Sequence, residues 1–254
     1  MNSKMNYNLM DPLEVYALVC KGKLKKFPNN YLDKEVIKVI SRHVILDIDN
    51  FTKEDICKKI NRAYLSKNYM GGFVKKFNQD VLEYINYCFP EFNIKGWELT
   101  KVAPKFWEDK QNQKEFMLYL FNELNINPES KEDLRRLTAR DIIKYGGSNA
   151  LKKVDSYFEL IKTVTNDRFK EWEVTKIKVW NKDKAILAVK WLVEERLNVG
   201  ISGACNLSVR DFSENNLDGM LQKVFKHSIL EALNATYGNI YYRDGIRNIK
   251  LRKN

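Results

Sequence analysis

Histidine is almost missing. His43 and His227 are the only two in 254 residues, and they lie far apart in the chain. A histidine-based triad or metal centre needs imidazoles close to other ligating or orienting groups, so this scarcity argues against both. Four cysteines, Cys20, Cys57, Cys88 and Cys205, include no CxxC pair. That excludes the common zinc-ligand spacings and offers no disulfide framework, and leaves reduced, buried thiols as the expectation. With 11 Gly and 5 Pro, a loop-rich all-β chain is disfavoured. No stretch approaches the roughly 18 uncharged apolar residues of a membrane span. Asp11 and Glu14 interrupt the N-terminal apolar stretch, so a signal peptide is not expected there. Neither GxxxxGK[ST] nor GxGxxG occurs, so no phosphate loop or dinucleotide fingerprint is present. Asp47 and Asp49 stand two apart in LDIDN, as in some two-metal enzymes. The same place reads LNI and LNV further along, which marks a helix end. The expectation is a soluble, cytoplasmic protein without membrane, metal or cofactor, and not an enzyme.

Positive charge is abundant. Lys+Arg number 44 against 33 Asp+Glu, a net +11, while 44% hydrophobic and 12% aromatic residues suffice for buried cores. A folded chain with that excess suits a polyanion: nucleic acid or an anionic surface. The alternative is a merely basic soluble protein.

One set of landmarks recurs three times. An aromatic residue precedes Asp-Lys in YLDK, FWEDK and VWNKDK, with Asp33, Asp109 and Asp183 spaced 76 and 74 residues apart. An amphipathic stretch ends in LDI, LNI or LNV. A Thr/Ser-x-x-Asp box follows at Thr52, Thr138 and Ser208. Glycine comes next, at Gly71-Gly72, Gly146-Gly147 and Gly219, then lysines, then an apolar helix carrying Glu83, Glu159 or Glu231. The first two copies close on Trp97-Glu98 and Trp172-Glu173. From box aspartate to first glycine the first copy spans sixteen positions, against five and eight in the others. The implied organisation is mainly α: a leading helix and basic linker over 1–26, then three tandem helical units at 27–103, 104–178 and 179–254. The five tryptophans sit near unit junctions, which points to core packing rather than base stacking.

In the middle copy, Phe116, Tyr119, Leu120 and Leu124 share one helical face. Thr138 and Asp141 form a capping box in which Asp is shorter than the preferred Glu. Gly146-Gly147 supplies the positive φ that ends the helix, and Ser148 or Asn149 caps the next. Tyr157, Phe158 and Ile161 face inward from the closing helix. A capped short helix, a glycine turn and a second short helix have the shape of a helix-turn-helix.

The second helix carries Lys75 and Lys76, Lys152 and Lys153, or Lys223 and Lys226, where a recognition helix would meet phosphate. Asn78 with Gln79, Ser148 with Asn149, and Gln222 could touch base edges. No arginine, the usual bidentate reader of guanine, sits in these helices. A solvated face is the alternative for these lysines. The C-terminal tail adds Arg243, Arg247, Lys250, Arg252 and Lys253, a basic arm or a frayed end.

Together, GKLKKFPNNYLDKE, VAPKFWEDKQNQKEF and LTARDIIKYGG resemble a family of repeated helical modules, without an assigned activity, from bacillus-group bacteria, their phages and mobile elements. The resemblance covers roughly Gly22 to Tyr241 and is best over Pro104 to Gly147. The third unit departs from it, with Val179-Trp180 and a single glycine. It implies tandem modules serving nucleic acid. The expected function is a non-catalytic protein that binds double-stranded DNA, a regulator or accessory factor of a phage or mobile element. The rivals are a protein-interaction module, such as a phage inhibitor of a host protein, RNA binding, and a nuclease whose carboxylate cluster the spacing does not reveal.

Overall fold

A computed structural model describes residues 10–177 and 179–239, with the backbone of Tyr241–Tyr242 and Gly245–Ile246. The chain is mainly helical and divides into two compact units. The first runs to Leu120 and takes in Ala139–Tyr157. The second holds Phe121–Thr138 and the described residues from Phe158 onward. The stretch 104–178, expected as the middle unit, therefore contributes to both.

In the first unit, Asp11 opens α1 (Pro12–Cys20) by accepting from the Leu13 amide at 2.8 Å, with proline in the first turn, where its missing N–H costs nothing. Asp33 caps α2 (Lys34–Arg42) in the same way, through the Glu35 amide at 2.9 Å. Ile37 and Ile40 lie one turn apart on the buried face of α2. The helix then widens into π-helical His43–Ile48 and stops at Asn50, which is left-handed. Helices α3 (Lys53–Lys59) and α4 (Arg62–Lys67) follow, then a 3₁₀ turn at Phe73–Phe77 and α5 (Val81–Cys88). Both α1 and α5 pack on α2. The core joins Phe73, Phe77 and Tyr84, all fully buried. The Tyr84 hydroxyl donates to Ser41 Oγ at 2.7 Å, and burial raises its pKa well above the usual phenol value.

The chain continues as α6 (Lys110–Glu123), α7 (Lys131–Leu134), α8 (Ala139–Lys144), α9 (Ser148–Leu151), α10 (Phe158–Thr165) and α11 (Glu171–Val174). Phe116 and Leu120 of α6 are fully buried, and Leu124 is half-buried just beyond its end. On α10, Phe158 and Ile161 are buried and Tyr157 before it is half-buried.

In the second unit, Asn181 caps α12 (Lys182–Trp191), which also widens into a π-helix, Leu192–Arg196, and stops at left-handed Asn198. Helices α13 (Gly200–Gly203), α14 (Val209–Glu214), α15 (Asp218–Phe225) and α16 (Ile229–Tyr237) complete it, and Tyr241–Tyr242 pairs antiparallel with Gly245–Ile246. Both α15 and α16 pack on α12, over buried Ala188, Leu192, Phe212, Leu221 and Leu233.

Four of the five tryptophans, Trp97, Trp107, Trp172 and Trp191, are buried, and Trp180 is half-buried. Trp97 stacks on Tyr119 at 5.4 Å and meets the edge of Phe116 at 5.6 Å. Trp172 meets Trp191 at 5.7 Å and Trp180 at 6.3 Å. These rings are core.

The cysteines correct the expectation of buried thiols. Cys57 and Cys88 are buried, but Cys20 and Cys205 are exposed because they sit at the edges of short helices. Burial pushes the Cys88 thiol up to about 12 and raises Cys57 as well. Only thiolates react readily with electrophiles. Native protein should therefore release two equivalents of thionitrobenzoate quickly, from Cys20 and Cys205, and four after denaturation. Four fast equivalents would contradict this burial.

Candidate nucleic-acid interface

One backbone device closes the helix ahead of each candidate lysine pair, and the same close also ends α1 at Gly22 and α6 at Asn125. Helices α4, α8 and α14 each end at a left-handed residue: Tyr69 at φ 61°, Gly146 at 94° and Asn216 at 63°. The next amide reaches back five residues, Met70 to Leu65 O at 2.7 Å, Gly147 to Ile142 O at 2.8 Å and Leu217 to Phe212 O at 2.8 Å. This is a Schellman-type close, which satisfies carbonyls the helix leaves open. Leu65, Ile142 and Phe212, the accepting residues, are all fully buried.

The residue before each helix stands eight positions ahead of the left-handed one: Asn61 to Tyr69, Thr138 to Gly146, Ser208 to Asn216. Asn61 accepts from the Tyr64 amide at 3.0 Å. The Ser208 amide donates to Asp211 at 2.7 Å, so the shorter carboxylate does close the box there. Thr52 also forms a full capping box with Asp55, whose carboxyl falls to about 2 through its bonds to Lys59 and Thr52. Thr52, however, opens α3, one helix earlier than the turn. The longer gap in the first copy comes from counting from α3 rather than from α4. The counterpart of α3 was legible: TKEDI at 52–56 matches SKEDL at 130–134, where Ser130 accepts from the Asp133 amide and caps α7.

Gly146 does supply the left-handed residue, but Tyr69 and Asn216 hold that place in the other two turns, ahead of Gly71-Gly72 and Gly219. A Cβ on Gly146 would also lie 2.2 Å from the Trp97 carbonyl oxygen. Asparagine tolerates the conformation, whereas a bulky tyrosine is strained in it.

All ten described candidate residues are exposed: Lys75, Lys76, Asn78, Ser148, Asn149, Lys152, Lys153, Gln222, Lys223 and Lys226. The pairs Lys75-Lys76, Lys152-Lys153 and Gln222-Lys223 stand six and seven residues after their left-handed residue. Asn78 and Lys226 are not on the second helix. Each starts a left-handed pair, Asn78-Gln79 and Lys226-His227, that leads into the caps Asp80 and Ser228 of α5 and α16. Lys153 pairs with Glu108 at 2.9 Å and lowers its pKa, Lys152 donates to Asn149 Oδ1 at 3.1 Å, and Asn78 donates to Glu83 at 3.3 Å. Arg247, Arg252 and Lys253, with Arg243 and Lys250, lie outside the described residues.

The second elements are shorter than expected. The first is a 3₁₀ turn and α9 is one turn, capped by Gly147 rather than by Ser148 or Asn149; α15 has eight residues.

A groove of about 970 Å³ runs along the first unit, lined by Asn61, Arg62, Asn78, Asp80, Lys101 and Lys105 among others. Arg62 donates to the Gln79 carbonyl at 2.7 Å, and Asp80 caps α5. Asp47 and Asp49 do not act together: Asp47 meets His43 at 3.1 Å, while Asp49 accepts from the Tyr64 hydroxyl at 2.5 Å. Among the described residues, no three His, Cys, Asp or Glu side chains gather as metal ligands would, and no helix is long and apolar enough to cross a membrane.

Residues 13–94, about a third of the chain, match a family described as "Protein of unknown function (DUF4046)". The matched span holds α1 to α5. It fits the expected kinship to a family without an assigned activity. No curated protein and no solved structure matches the chain significantly.

Two sets of variants test this geometry. Gly146→Ala should destabilise by about 2 kcal/mol or more, from the left-handed backbone and the Trp97 carbonyl together, whereas Tyr69→Gly should stabilise by up to about 1 kcal/mol. Urea melts followed by circular dichroism read both changes. Lys152→Ala/Lys153→Ala should keep the wild-type urea midpoint, because exposed pairs contribute little. A clear drop would show these lysines to be structural.

Proposed function

We propose that this chain is a non-catalytic, double-stranded DNA-binding protein built of three tandem helical units, a regulator or accessory factor of a phage or mobile element. One observation carries the reading. Exposed lysine stands six or seven residues after three of the left-handed closes, at Lys75-Lys76, Lys152-Lys153 and Lys223. A core requires no such regularity of solvent-facing charge, whereas a repeated phosphate contact does. The net charge of +11 supports the same partner. The recurring caps, turns and buried acceptors support three related units, and π-widened first helices stopping at Asn50 and Asn198 add to this. One-turn second elements reach little of a major groove, so backbone contacts dominate over base reading.

A protein-interaction module is the second reading. The groove of the first unit, with Arg62, Lys101 and Lys105 beside Asp80 and Glu83, has the mixed charge that a protein partner would favour.

Fluorescence anisotropy of a labelled duplex pool tests the first reading. Affinity should fall at least tenfold between about 50 and 200 mM salt, as several phosphate contacts require. The Lys152→Ala/Lys153→Ala variant should bind more weakly and with a shallower salt slope. Absence of duplex binding at 50 mM salt would sink the reading and turn attention to the groove.

A further inference from the structure

The three turns share a backbone but not the side chains that follow. Two and three residues after the left-handed position stand Gly71-Gly72, Ser148-Asn149 and Asp218-Gly219. Six and seven residues after it stand Lys-Lys, Lys-Lys and Gln-Lys. We infer that the units divide the labour on DNA: Asn149 of the middle unit reads a base, the first unit holds phosphate only, and Asp218 weakens the hold of the third. This rests on the double-stranded DNA reading.

In a helix-turn-helix, residues opening the second element meet base edges, while cations further along meet phosphates. In the first unit Gly71-Gly72 precede the second element, which opens with Phe73 and Val74, both buried, so no side chain there reaches a base. Its cations, Lys75 and Lys76, are exposed and form no ion pair among the described residues. It can hold a backbone without reading it.

The middle unit has the same lysines and adds Ser148 and Asn149, both exposed. A carboxamide offers one donor and one acceptor side by side, which matches N7 and the N6 amino group of adenine. Lys152 Nζ meets Asn149 Oδ1 at 3.1 Å in the free protein. A phosphate drawing Lys152 away would release Oδ1, so backbone contact and base reading are coupled through one hydrogen bond. The reading relies on side chains; α9, of four residues, has too little length for its amides to serve.

The third unit places an exposed carboxylate, Asp218, where the middle unit has Ser148, and Gln222 where it has Lys152. Asp218 has no ion pair among the described residues to mask it. Set against a polyphosphate, it repels.

Site selection from a randomised duplex library, followed by anisotropy on the selected duplex and the unselected pool, tests the division. Wild type should select a site containing adenine. Asn149→Ala, checked for native circular dichroism, should bind the pool within about threefold of wild type. It should lose roughly tenfold discrimination at the selected adenine. Asp218→Asn should tighten pool binding two- to fivefold at low salt, and Gly72→Ala should leave the selected site unchanged. Duplex binding with no selected site, a site preference that survives Asn149→Ala, or no tightening in Asp218→Asn would each overturn the division while leaving DNA binding intact. Absence of any duplex binding would remove the DNA reading and the division with it.

Discussion

Each short helix that precedes a candidate contact depends on one interaction: the amide five residues on, folded back across a left-handed residue onto a carbonyl of the helix. A helix of six residues is far too short to hold itself in water. Here each is held at its C-terminal end by this bond, α4 and α14 also at the other end by Asn61 and by the Ser208–Asp211 pair, while a fully buried Leu65, Ile142 or Phe212 pins the middle to the core. The turn also sets where the next residues point. The amide closes at the same length each time, while the elements that carry the exposed positions six and seven residues later are a 3₁₀ turn, one helical turn and an eight-residue helix.

Left-handed residues do much of the punctuation elsewhere. Asn50, Asn93, Asn125, Asn166, Asn198 and Asn216 all take positive φ. Asparagine adopts this conformation at lower cost than other residues with a side chain, and its amide can bond locally. A chain with only 11 glycines can therefore stop this many helices. Tyr69, like Gln79 and Lys226, takes it at higher cost, since a bulky side chain gains nothing from the left-handed region.

The tryptophans tie segments distant in sequence. Trp97 and Trp172 lie in short elements that begin alike, with the Lys95 and Lys170 amides donating to Glu98 and Glu173. Their rings bury against aromatic residues of α6 and α12. Both indole N–H groups are buried without a partner among the described residues. Such an orphan costs on the order of 1–3 kcal/mol, which the buried ring area offsets.

Helix content, the Thr/Ser-x-x-Asp boxes at Thr52 and Ser208, and the exposed lysines were determined by sequence, because caps and amphipathic faces depend on neighbours within a turn or two. The recurrence of landmarks was legible for the same reason. Tertiary structure decided what local pattern does not encode. It placed the left-handed residue at Tyr69 rather than at Gly71, since packing of Leu65 and Met70 overrides the preference of one residue. It showed Asn61 opening the helix before that turn, put Asn78 and Lys226 beyond their second elements, and divided residues 104–178 between two compact units. Those outcomes follow from contacts between residues far apart in the chain, where the balance of burial and backbone strain is settled.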